Sequence, residues 1–159
     1  MSHLNLKEYA IKNLNDTCKR YCEDLETMSV EQLTEKVNGT GRAALDFTAE
    51  TAFVNRMFAA RIRRDAAPEW PWNDDWPTAP EGYTKEAAIQ DMKDSVAEVV
   101  AALEPVAEDK MTEEFEVSEG KNSTAFGSAN FVFMHMMYHC AQLNYYQAVK
   151  GDMEVHWSV

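Results

Sequence analysis

Phe131-Val-Phe-Met-His-Met-Met-Tyr-His-Cys-Ala141 is an apolar run interrupted by two histidines, His135 and His139, one helical turn apart. Spacing i, i+4 puts both imidazoles on one face of a helix. Burying a polar ring in such a stretch is costly unless each nitrogen finds a partner, and a bound metal ion is one partner that satisfies two rings at once. Hydrogen bonds to neighbouring carboxylates or carbonyls are the ordinary alternative. The run reads as a core helix with a candidate metal site, and a Zn²⁺, Ni²⁺ or Fe²⁺ ion needs at least one further ligand from another helix.

Around this run the chain reads as four helical segments, with strand signals nearly absent. The first spans about Leu4 to Met28, with Ile11, Leu14, Cys18, Tyr21, Leu25 and Met28 on one stripe. A second covers about Ala43 to Arg64 and ends in Arg61, Arg63 and Arg64, where cations complement the helix dipole. The third, about Thr84 to Leu103, begins with Thr84 or Tyr83 near the cap and ends at Pro105. The fourth begins at Thr124 or Ser128, reaches Lys150 and stops at Gly151. Its predicted buried stripe is Phe131, Val132, His135, Tyr138, His139, Gln142, Leu143 and Tyr146, with Cys140 pointing away.

The connections are long, so sequential helices need not be antiparallel neighbours. Asp65 to Gly82 holds four of the five prolines and three of the four tryptophans. Prolines stiffen a connector and tryptophans seek cover, so an ordered crossover along the bundle is expected, letting the second and third helices run parallel. Val30-Glu-Gln-Leu33 reads as an extra turn, and Ala107 to Ser123 as a small hairpin closed near Glu119-Gly120.

A length of 159 residues fits a single domain, residues 1–159, and a formal net charge of −12 makes a nucleic-acid partner a poor expectation. The N-terminus has no uninterrupted apolar stretch, and the run around His135 is too short and polar to span a bilayer, so a cytoplasmic protein without membrane partners is expected. Three cysteines imply reduced thiols, with Cys18 and Cys22 as small buried hydrophobes.

The third ligand should look wrong on an apolar helical face. At 100° per residue Glu50 falls among Phe47, Val54 and Met57, directing its carboxylate inward, whereas Asn55 points well away from that stripe. A buried carboxylate needs a cation, a donor or a metal. Glu50 with His135 and His139 is the candidate metal set, and a Glu–His hydrogen bond without metal is its competitor. Asp46 and His156 are weaker candidates. Gln142 and Tyr146 extend the histidine stripe with polar ends suited to orienting a ligand or to core hydrogen bonds.

Asp46-Phe-Thr-Ala-Glu-Thr-Ala-Phe-Val-Asn55, His135-Met-Met-Tyr-His-Cys-Ala-Gln-Leu-Asn-Tyr145, Gly151-Asp152 and His156-Trp157 together resemble the DinB-like (YfiT-type) superfamily. The resemblance spans nearly the whole chain and is most specific in the fourth helix. It implies an all-α four-helix bundle, up-down-down-up, with a long crossover between the second and third helices. It also implies a divalent metal in an open site held by three histidines, two of which match His135 and His139, while Glu50 takes the place of the second-helix histidine.

An open metal site implies a metal-dependent enzyme acting on a small molecule, because such a metal lowers the pKa of bound water or of a thiol. The resemblance suggests a transferase using a low-molecular-weight thiol, with the tryptophan-rich crossover walling the pocket. A metal-dependent hydrolase, or a binding or stress-response bundle without turnover, are the alternatives; no general base or catalytic residue is identifiable. A homodimer is expected from the family and from aromatic and methionine faces that include Phe58 and Phe133.

Overall fold

The computed structural model describes residues 5–36, 39, 41–73, 75–118 and 120–158. Among the described residues five α-helices form, each with an identifiable start. Helix α1 (Leu6–Thr27) is capped by Asn5, whose side chain accepts from the Glu8 amide. Ser29 and Gln32 make a reciprocal capping box on the short α2 (Val30–Thr34). Helix α3 (Ala44–Arg63) uses Asp46, which accepts from the Ala43 amide at 3.0 Å. Thr84 caps α4 (Lys85–Leu103) and Thr124 caps α5 (Ala125–Val149), which is followed by Gly151 at φ +91°. Strands β1 (Phe115–Ser118) and β2 (Lys121–Ser123) pair antiparallel as the expected hairpin. Leu4 and Glu119, named above for a helix start and a turn, lie outside the described residues.

Side-chain bonds between helices fix their directions. Arg56 of α3 reaches Asp91 and Glu98 of α4, while Asp46 near the start of α3 accepts from Ala79 just before α4, so these two helices run parallel. Asp24 bonds Asn144 and Thr27 bonds Gln147, near the C-terminal ends of both α1 and α5. Tyr9 and Ala10 lie beside Phe126 and Ala129 near the opposite ends, so α1 and α5 are parallel too. Cys22 meets Ile89 and Lys7 meets Glu104, making α1 antiparallel to α4; Phe47 stacks on His139 and Phe58 on Phe131, making α3 antiparallel to α5. The bundle is up-down-down-up, with α1 and α3 on one diagonal. Tyr21, fully buried, crosses that diagonal to Thr48 Oγ1 at 3.0 Å. Thr48 gives its own proton to the Ala44 carbonyl, so the tyrosine donates.

The crossover is ordered by a few specific contacts. Phe53, Trp70 and Trp72 form an edge-on aromatic cluster, Trp72 Nε1 donates to the Thr78 carbonyl at 2.9 Å, and Pro77 is buried. Cover for every tryptophan does not follow: Trp70 is 40% and Trp76 76% exposed, because one cluster on Phe53 suffices to pin the segment.

One stripe expectation needs correction. The buried line of α5 is Val132, Met136, His139, Cys140, Leu143 and Gln147, rotated from the predicted one; Tyr138 is exposed and Cys140 is core. Three hydrophobic positions beside each histidine make the helix apolar on almost every side, so period alone could not select the core face. Asn55 does point off the Glu50 stripe, yet it is fully buried against α4, donating to Ser95 Oγ at 3.0 Å. Helix α3 is packed on two sides. Among the described residues, no helix is long and apolar enough to cross a membrane.

The C-terminal tail closes onto α1. Buried Asp24 accepts from Asn144 and from Trp157 Nε1 at 2.6 and 2.8 Å, and burial still raises its carboxyl above the usual range against these donors. Replacing Trp157 with Phe should cost about 1.5–3 kcal/mol in urea unfolding at pH 7, the value of a hydrogen bond to a charged group. In an Asp24→Asn background the loss should shrink, and an undiminished loss there would show that Trp157 acts by packing alone.

Candidate metal centre

The antiparallel contact of α3 with α5 brings Glu50, in the second turn of α3, beside the middle of α5. Among the described residues, Glu50, His135 and His139 are the one group of three such side chains whose ligand atoms converge, all within 4.8 Å of one another. His139 Nε2 lies 3.3 Å from His135 Nε2 and 4.0 Å from Glu50 Oε2. Two ligands at tetrahedral positions about 2.05 Å from a zinc ion stand about 3.3 Å apart, so the imidazole pair has the separation of a metal site and the carboxylate is a short adjustment away.

The neighbours prepare the rings for that role. Gln142 Oε1 is 2.7 Å from His139 Nδ1 and its amide nitrogen faces Tyr138 Oη, so His139 donates from Nδ1 and presents the Nε2 lone pair toward His135 Nε2. Phe47 stacks on His139 at 5.2 Å and Phe131 on His135 at 5.9 Å, fixing both ring planes. Burial first, and then His135, pulls His139 down to about 3; burial likewise lowers His135, with Glu50 opposing. Both imidazoles are therefore neutral near pH 7, the form that binds metal. Among the described residues His135 Nδ1 is buried without a hydrogen-bond partner. Two neutral, oriented imidazoles beside a carboxylate fit a divalent cation, and this group could hold one.

Arg42 was not among the residues singled out from the sequence. It donates through Nη1 to Glu50 Oε2, its guanidinium lies 5.7 Å from the centre of the Trp76 ring, and its carbonyl accepts from Tyr146 Oη. The cation that the buried carboxylate required is present within the chain. Arg42 sits in the loop before α3, outside any periodic segment, so its only sequence signal was a lone cation eight residues ahead of Glu50.

The other candidates have separate roles. Asp46 spends its two oxygens on the Ala43 and Ala79 amides, joining α3 to the crossover. His156 pairs with Asp152 at 2.8 Å in the C-terminal tail. Cys18, Cys22 and Cys140 are buried elsewhere with free thiols. A cavity of about 540 Å³ opens over the donor group, walled by Arg42, Phe47, Trp76, Pro77, Tyr138 and Tyr146. The crossover does wall the site, through Trp76 and Pro77.

A family model described as the DinB superfamily matches residues 13–143. A solved structure, titled as a conserved protein of locus from Enterococcus faecalis, superposes with a TM-score of 0.73 at 15% identity, covering 94% of this chain and 99% of that one. At that identity the likeness concerns the fold. No curated protein matches the sequence.

The lowered histidines make folding pH-dependent in the metal-free protein. The unfolded chain binds protons at the ordinary histidine value of about 6.5 while folded His139 stays neutral to about 3, so stability is full above the unfolded value and falls as pH drops below it. Chelator-treated protein should lose up to about 1.4 kcal/mol per pH unit from this group between pH 6 and 5. His139→Gln should flatten that slope in urea titrations, and an identical slope would refute the assignment.

Proposed function

The chain belongs to the DinB superfamily, and from that membership and the Glu50–His135–His139 group we propose a divalent-metal-dependent enzyme acting on a small molecule in the adjoining cavity. The observation that carries the proposal is the pair of neutral imidazoles whose Nε2 atoms converge 3.3 Å apart beside a carboxylate. Glu50, His135 and His139 would hold the ion, and Zn²⁺, Ni²⁺ and Fe²⁺ all accept two nitrogens and an oxygen with positions left for ligand. When bound, the metal supplies Lewis acidity, lowering the pKa of a thiol or of water. Transfer using a low-molecular-weight thiol is the preferred reaction class, because the resemblance points there; hydrolysis is the alternative within the same site.

The chain's own groups support such chemistry by orientation and exclusion. Gln142 fixes the His139 tautomer, Phe47 and Phe131 hold the rings and keep water from their faces, and Trp76 with Pro77 closes one side of the cavity. A second reading rests on Arg42: its ion pair satisfies Glu50 without any metal, which favours a bundle that binds a small ligand and does not turn it over. A homodimeric, cytoplasmic protein remains part of the proposal.

Metal analysis separates the two readings. Protein purified without an immobilised-metal column should carry, or take up on addition of Zn²⁺, Ni²⁺ or Fe²⁺, about one ion per chain, and His139→Ala should abolish retention. Unchanged content in that variant would show that the ion sits elsewhere and the site assignment is wrong, whereas no uptake by the wild type would favour the metal-free reading. With metal bound, a panel of electrophiles and cellular thiols should show conjugation that a chelator removes; a silent panel would leave the binding protein.

A further inference from the structure

Arg42 has more donors than the protein itself uses. Nη1 is on Glu50, whereas Nε and Nη2 are buried without a hydrogen-bond partner among the described residues. These two nitrogens form one edge of the guanidinium, and their parallel N–H bonds match the two oxygens of a carboxylate. The group is held in place by three contacts: Glu50 on one edge, the Trp76 ring against it, and Tyr146 on its backbone carbonyl.

The surroundings select the sign and size of the missing partner. Arg42 lines the same cavity as the histidines, with Lys36 as a second cation, in a chain whose net charge is −12. Asp46 lines it as well, so two cations and two carboxylates cancel, and a divalent ion would leave the cavity with a charge of +2 and a demand for anions. A volume of about 540 Å³ falls within the roughly 300–1,000 Å³ of small-molecule sites. A planar carboxylate group meets the flat edge of Arg42 better than a tetrahedral phosphate.

We propose that Arg42 is the carboxylate-binding group of this cavity, so that the molecule acted upon carries a carboxylate that pairs with Nε and Nη2 once the side chains covering those two buried atoms shift. The assignment rests on the reading of this cavity as a ligand site and deepens it by naming one required feature of the ligand. Arg42 is then a specificity residue, and its pairing with Glu50 fixes the guanidinium for that task.

The test uses the full chain, metal-free and zinc-loaded, with succinate as probe, neutral succinamide as its isostere and inorganic phosphate as the competing oxyanion. Nuclear magnetic resonance reads the Arg42 Nε–H and Trp76 indole N–H signals. Succinate should shift both saturably in the metal-free protein, succinamide should not, and Arg42→Lys should weaken succinate at least about tenfold in a variant whose circular dichroism shows it folded. Equal effects of succinate and succinamide, undiminished binding by Arg42→Lys, or phosphate binding more tightly at the same signals would overturn the assignment. If Arg42→Lys fails to fold, the succinate-to-succinamide comparison in the wild type decides. Succinate binding in a chain that takes up no zinc would retain the Arg42 role and remove the metal reading, whereas zinc uptake without succinate binding would do the reverse.

Discussion

Two imidazoles cannot sit side by side against an apolar interior unless something satisfies the nitrogens that face each other. His135 and His139 present that demand, with Nε2 atoms 3.3 Å apart, and the contact of α3 with α5 is where it is answered. Gln142 fixes the His139 tautomer, so His135 Nε2 donates to His139 Nε2, while Glu50 sets its carboxylate beside the pair and two phenylalanines stack on the rings. Placing Glu50 there requires α3 to run antiparallel to α5, which in turn requires α3 and α4 to run parallel and the long crossover to exist. The connector that makes this topology possible then returns over the site, so Trp76 and Pro77 wall the cavity whose position it determines.

Much of this was legible in the chain. Capping residues at Thr84 and Thr124, the terminating Gly151 and the alternation of long connectors with helical segments carry local information, and the elements stand where those signals put them. The convergence of Glu50 with both histidines was legible because each was a polar residue placed on an apolar face. What failed was the choice of core face on α5, since Phe133, Met134, Met136 and Met137 surround His135 with hydrophobic side chains in every direction. Asn55 was hidden for a related reason: α3 is buried toward α4 as well as α5, and its partner Ser95 is forty residues away. Arg42 was illegible because loop residues obey no period, and its pairing with Glu50 depends on the path of the chain into α3.

Arg42 changes the electrostatic meaning of the site. A carboxylate with no cation would have favoured a metal strongly; a carboxylate already paired gives up part of an ion pair to bind one. Glu50 has two oxygens, however, and a carboxylate can serve a guanidinium and a metal together. The pair therefore holds Arg42 in place at the cavity wall.

The central claim is that Glu50, His135 and His139 form one metal-binding unit. X-ray absorption at the zinc edge on protein loaded with one equivalent of Zn²⁺ tests it most directly. The account predicts scattering from two imidazole nitrogens with oxygen completing the shell, and loss of one imidazole contribution in His135→Ala. A shell dominated by sulfur, as binding at Cys18 and Cys22 would give, or one unchanged by that substitution, would contradict it.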